Sequence, residues 1–131
     1  MTGTHFYNLD RKGRVVIPAP FRAELGEPII LARAPNRTVV AMPRDRWETA
    51  AAKRDGELFR NFFLSGAVEV RPDAFTGRVQ IPHALRQHMA LRFPQEVTVA
   101  GVGAAAVLCE RGRWDAHLRE LETRLVAFLL G

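Results

Sequence analysis

At 131 residues, with 47% hydrophobic and 25% charged side chains, the chain is long enough for a real core and too apolar to stay disordered. Its net charge of +5 sits mainly in the first 64 residues, which hold eleven Lys and Arg against seven Asp and Glu, and arginine outnumbers lysine seventeen to two, favouring bidentate contacts with phosphates or guanine edges. No run approaches 18 apolar residues and the N-terminus lacks a basic-then-apolar signal pattern, so the expectation is a soluble, cytoplasmic protein without a membrane partner.

Phe6 and Leu9 mark a first strand that feeds a charged turn. The stretch Asp10 to Arg22, DRKGRVVIPAPFR, follows. Gly13 can take a positive φ and turn tightly, so Arg11, Lys12 and Arg14 project from a tip, while Asp10 accepts hydrogen bonds from turn N–H groups. Val15 to Ile17 read as a strand because β-branched residues suit a pleated, half-buried surface. Pro18 ends it, Pro20 suits a first helical turn, and Gly26 stops the helix carrying Phe21 and Leu25.

Ile29–Ala32 and Thr38–Met42 read as a hairpin around Pro35 and Asn36. Asp45 with Glu48 looks like a capping pair, Trp47 opens the next helix's apolar side, and that helix ends near Gly56. Residues 57–64 form a second helical piece whose Phe59, Phe62 and Phe63 could stack bases but read as core, the commoner use of such an aromatic cluster.

The sequence then repeats itself. GRVQIPHALRQHM from Gly77 matches GRVVIPAPFRAEL from Gly13 at a shift of 64. The second copy predicts a strand at Val68–Val70, a turn over Asp73–Arg78, a strand at Val79–Ile81, a helix to Met89, and strands at Glu96–Ala100 and Ala104–Cys109. Trp114 parallels Trp47 and opens a last helix whose Leu118, Leu121, Leu125 and Leu129 form a stripe that must bury, on its own domain or on another subunit. The chain thus divides into residues 1–64 and 65–131.

Other chemistries lack their residues. Cys109 has no partner for an internal disulfide and lies in an apolar run, and no Cys/His spacing resembles a metal site. His5, His83, His88 and His117 are scattered, no nucleophile sits with a base, and Gly101-Val102-Gly103 is too short for a phosphate loop. No catalytic residues, metal, cofactor or small-molecule substrate are expected.

LDRKGRVVIPAPFRAEL, AVEV, GRVQIPHALRQHMAL and VTVAGVG, with a Trp-opened helix, resemble the MraZ family over essentially the whole chain. The resemblance implies an α+β fold, a small β-barrel of two swapped-hairpin SpoVT-AbrB-type halves (a double-split barrel) with peripheral helices. It also implies a transcriptional regulator, usually a repressor, that assembles into rings and binds direct repeats in double-stranded DNA upstream of its own division and cell-wall operon, placing it at the nucleoid. By that resemblance Arg11, Lys12, Gly13, Arg14 and Arg78 are the DNA-binding candidates, supported by Asp10, Gly77 and Asp73. Arg14 suits a guanine edge, Arg11 and Lys12 suit phosphate, and Arg22 and Arg86 read as structural, bonding carboxylates or turn carbonyls. Two positions depart from the family's pattern. Asp73 precedes Arg78 by five residues, not four, and Thr2 stands where a basic residue is usual. The other reading is an antitoxin-like or structural barrel that binds a protein.

Overall fold

The structure, a computed structural model, describes residues 1–53, 56–57 and 59–131. Strand β1 (Thr4–Asn8), strand β2 (Arg14–Val16), helix α1 (Ala19–Leu25), strands β3 (Ile29–Ala34) and β4 (Thr38–Pro43) and helix α2 (Arg44–Lys53) come first. After a π-helical segment, Phe59–Leu64, the same order returns as β5 (Val68–Val70), β6 (Arg78–Gln80), α3 (His83–His88), β7 (Glu96–Gly101), β8 (Ala106–Glu110) and α4 (Arg111–Leu130). The elements expected in each copy are therefore present in the expected sequence.

Among the described residues the fold is α+β. Six strands make an antiparallel sheet in the order β1-β7-β8-β4-β3-β5, and β2 pairs with β6 in a separate ribbon. The hairpins β3–β4 and β7–β8 are local, but β1 pairs with β7, β3 with β5 and β2 with β6, so strands from the two copies interleave.

Strand alternation decides where the core sits. Ile29, Leu31, Val39, Ala41, Val97, Val99 and Leu108 share one sheet face and pack against Val15, Ile17, Val79 and Ile81 from the ribbon, with Phe21, Leu25, Leu85 and Met89 from α1 and α3. The ribbon is thereby held on an apolar base. Each fully buried Ile there contributes about 1.5–3 kcal/mol relative to exposure. On the opposite sheet face, Ala100 and Cys109 meet Trp114 in a smaller cluster.

Three expectations change. The piece at 57–64 is a π-helix over Phe59–Leu64, with Leu58 outside the described residues. Its phenylalanines are not core: Phe63 leans on Trp47 at 4.8 Å and on Phe59 at 4.9 Å, while Phe62 stays exposed beside Arg33, which donates to the Phe62 carbonyl. A six-residue segment with a wide turn cannot bring three aromatic rings onto one buried face. Asp45 and Glu48 do not form a reciprocal cap, because α2 already begins at Arg44; Asp45 accepts from the Arg46 N–H and Glu48 pairs with Arg44. Helix α2 is described as far as Lys53, and residues 54–55, which precede the end expected near Gly56, lie outside the described residues.

The stripe of the last helix departs from one of its two readings. In α4 only Trp114 is buried, and the leucine stripe does not pack on its own domain, with Leu125 56% and Leu129 70% exposed. Glu110 caps this helix by accepting from the Gly112 and Arg113 N–H groups, so its start is fixed while its apolar end projects.

Candidate nucleic-acid interface

Two turns flank the β2–β6 ribbon, one entering each strand. In the first, the Asp10 N–H donates to the Arg14 carbonyl at 3.0 Å and the Gly13 N–H to the Asp10 carbonyl at 3.0 Å. In the second, Asp73 N–H reaches the Arg78 carbonyl at 2.8 Å and Gly77 N–H the Asp73 carbonyl at 2.9 Å. The extra residue is therefore absorbed within the loop. Gly13 and Gly77 take φ of 78° and 72°, a region costly for any side chain.

The side chains finish the turns differently. Asp10 accepts from the Lys12 N–H at 2.9 Å, the Arg14 N–H at 2.8 Å and Arg14 Nε at 2.7 Å. Burial pushes the Asp10 carboxyl up, but the Arg14 amide, the Arg14 guanidinium and charge, and the Lys12 amide outweigh it and hold the group below its ordinary value. Arg14 is 36% exposed, so this pair contributes no more than about 1 kcal/mol to stability and serves to aim the guanidinium.

Asp73 instead accepts from the Phe75 N–H at 2.9 Å, the Thr76 N–H at 2.8 Å and the Thr76 hydroxyl at 3.2 Å. The Thr76 and Phe75 amides hold its carboxyl below the usual value, with a smaller contribution from the charge of Arg14.

The ribbon joins the turns. Arg14 pairs with Gln80, Val15 with Val79 and Val16 with Arg78, and the ladder extends through Ile17 N–H to Gly77 O at 2.9 Å and Ile81 N–H to Gly13 O at 3.0 Å. Since Val15 and Val79 point into the core, alternation turns Arg14, Val16, Arg78 and Gln80 outward. Arg78 is exposed, and so are Arg11 and Lys12 at the first tip.

The helix arginines lie behind this surface. Arg86 packs over Gly13 and donates to the Lys12 carbonyl at 3.4 Å; Arg22 packs over Gly77 and donates to the Ile17 carbonyl. Each therefore sits against the turn glycine of the other copy. A shallow cavity of about 230 Å³, lined by Arg11, Lys12, Gly13, Arg86 and Phe93 among others, opens beside the first turn.

Three residues of this surface were not singled out from sequence. Gln80 Nε2 donates to the Lys12 carbonyl at 2.7 Å and tethers the first turn. Phe93 lies under the Arg11 guanidinium at 4.7 Å. Phe75 stands at the second tip, 97% exposed. The first two depend on pairing between copies; the third could have been found as the apolar residue inside the lengthened turn.

Among the described residues no group of three or more His, Cys, Asp or Glu is placed to hold a metal, and no helix is long and apolar enough to cross a membrane. Burial first, and then the charge of Glu110, push the Cys109 thiol up to about 11.

Comparison with known proteins points the same way. The MraZ protein family matches residues 1–61. The chain is 35% identical over 130 residues to the transcriptional regulator MraZ of Bifidobacterium longum (strain NCC 2705), covering 93% of this chain and 85% of that protein. It is 34% identical to the transcriptional regulator MraZ of Paenarthrobacter aurescens (strain TC1), covering 92% and 87%. Against the protein of that name from Caldanaerobacter subterraneus subsp. tengcongensis identity is 31%, covering 93% and 89%.

Proposed function

The chain belongs to the MraZ family, and from that premise we propose that it is a sequence-specific regulator of transcription that grips double-stranded DNA with the outward face of the β2–β6 ribbon and its turns. The observation that carries this reading is the presentation of Arg14 and Arg78 on one exposed strand surface, with Arg11 and Lys12 at the adjoining tip. A two-stranded ribbon fits the major groove, where a guanidinium can grip the two acceptors of guanine.

Roles follow from position. Arg14, aimed by Asp10, reads a base edge, and Arg78 faces the groove from the other strand. Arg11 and Lys12 hold phosphate; Gly13 and Gly77 allow the backbone's close approach. Arg22 and Arg86 are supports, each braced on the opposite turn. The interleaved strands fit a double-split barrel of two swapped-hairpin repeats, residues 1–64 and 65–131.

One ribbon supplies a modest, salt-dependent attraction, too weak to close a promoter. The exposed apolar side of α4 supports a second part of the proposal, a homo-oligomer, in the family's manner a ring. Several ribbons meeting successive direct repeats upstream of the protein's own operon make later contacts intramolecular and raise avidity by roughly 10²–10⁴. Such a protein works as a repressor in the cytoplasm, at the nucleoid, without catalysis or cofactor.

Footprinting of the purified protein on the stretch upstream of its gene tests the reading. Protection of regularly spaced repeats, abolished by Arg14→Ala with Arg78→Ala in a protein that melts normally, supports it. Unspaced protection, or protection that survives both substitutions, counts against it.

A further inference from the structure

Resting on the reading that the ribbon meets double-stranded DNA, we infer that Phe75 is an apolar base contact of the second turn, standing where the first turn carries its phosphate-holding cations. Between Asp10 and Gly13 lie Arg11 and Lys12; between Asp73 and Gly77 lie Ala74, Phe75 and Thr76. The second tip has thus exchanged both charges for a phenyl ring, and the added residue pushes that ring outward to 97% exposure.

The backbone beneath the ring is fixed. The Asp73 carboxylate takes both the Phe75 and Thr76 N–H groups, and the Thr76 hydroxyl oxygen accepts the Arg78 N–H at 3.2 Å. A loop backbone so constrained loses little freedom on binding, which favours contact. The turn's exit residue is Arg78, on the outward surface that also carries Arg14. A contact made there by Arg78 brings Phe75 to the bases.

At 97% exposure the ring takes no part in the core formed by the described residues. Phe93, the aromatic beside the first turn, lies under Arg11, and Phe128 belongs to the apolar run of α4; Phe75 stands among exposed, mostly polar turn residues. A phenyl ring left in water forgoes the stabilisation that burial gives. Two base features accept it, the thymine methyl group and the face of a base at an opened step.

The two kinds of tip differ in salt dependence. Removing a phosphate contact lowers the slope of log affinity against log salt by about 0.9, whereas removing an apolar base contact lowers affinity at every salt and leaves the slope unchanged. The test is a salt series of fluorescence-anisotropy titrations on a labelled duplex from upstream of the gene. Phe75→Ala is expected to bind about five- to a hundredfold more weakly throughout, with the wild-type slope. Phe75→Trp should retain binding, and Arg11→Ala should lower the slope.

Binding by Phe75→Ala equal to wild type, or a slope lowered by about one phosphate, overturns the inference. Thermal melting checks that the variant is folded. With uracil in place of thymine, a loss matching that of Phe75→Ala assigns the contact to the methyl group; a 2-aminopurine signal seen with wild type and absent with Phe75→Ala assigns it to an opened step. Failure of the wild type to bind any duplex overturns the parent reading and this inference with it, whereas intact wild-type binding with an unaffected Phe75→Ala overturns this inference alone.

Discussion

Arg86 lies across Gly13 so closely that a β-carbon added at the glycine would overlap the guanidinium. Arg22 bears the same relation to Gly77, with the Ile17 carbonyl also 3.3 Å from the added carbon. The swapped ribbon is thus locked by reciprocal bracing, each copy's helix behind the other copy's turn.

Gly13→Ala should therefore destabilise the fold by about 1–2 kcal/mol, chiefly through its φ of 78°. Part of the penalty is overlap with a flexible side-chain end. In an Arg86→Ala background the same substitution should be less harmful, with a coupling of at least about 0.5 kcal/mol in a double-mutant cycle read by urea denaturation. Strict additivity would show that the bracing is only apposition.

The tip residues should separate by salt dependence. Lys12→Ala should lower the slope of log affinity against log salt by about 0.9 while preserving the preference for the specific site. Arg14→Ala should lose about 1–3 kcal/mol of that preference. Equal effects of the two would mean that both hold phosphate.

Asp10 gives an acid-dependent contribution whose sign is fixed. Its carboxyl lies below its ordinary value in the folded chain. The stability this supplies is present above the unfolded value, about 3.9, and is lost as pH falls through the lower folded value. Asp10→Asn should accordingly be less stable than wild type by about 1 kcal/mol near neutrality, and the gap should begin to narrow below about pH 4 in a series of thermal melts.

The apolar end of α4 should serve assembly and not the fold. Deleting Val126 to Gly131 should lower the mass measured by light scattering and leave the melting of the sheet unchanged, because these residues are exposed. An unchanged mass would sink the interface.

Cys109 should be inert. It is buried, and with its thiol pushed up to about 11 it is almost wholly protonated at pH 8. Labelling by an aromatic disulfide reagent should be negligible until the protein is unfolded.

Much of the fold was legible because the strongest signals were local and occurred twice. Gly-Arg-Val, Ile-Pro and the helix arginine announced a turn, a strand and a helix in each copy, and the hairpins carried their own turn residues. Which strands of one copy pair with those of the other is set by tertiary packing, so the β2–β6 ladder and Gln80's hold on Lys12 had no local signature. The periodicity of α4 revealed an apolar stripe but not whether anything covers it, and the short aromatic segment 59–64 gave too few residues to separate core from surface. At the candidate surface, sequence supplied the cations and both glycines; it passed over Phe75 because lengthening a turn changes what points outward, not the pattern of strands around it.

The most direct test of the central claim compares binding of the purified protein to DNA from immediately upstream of its own gene with binding to a shuffled duplex, by fluorescence anisotropy at low and moderate salt. The account predicts tighter binding to the native duplex, with the preference surviving at moderate salt while both affinities fall. Equal affinities that collapse together as salt is raised would leave a basic surface without sequence recognition and contradict it.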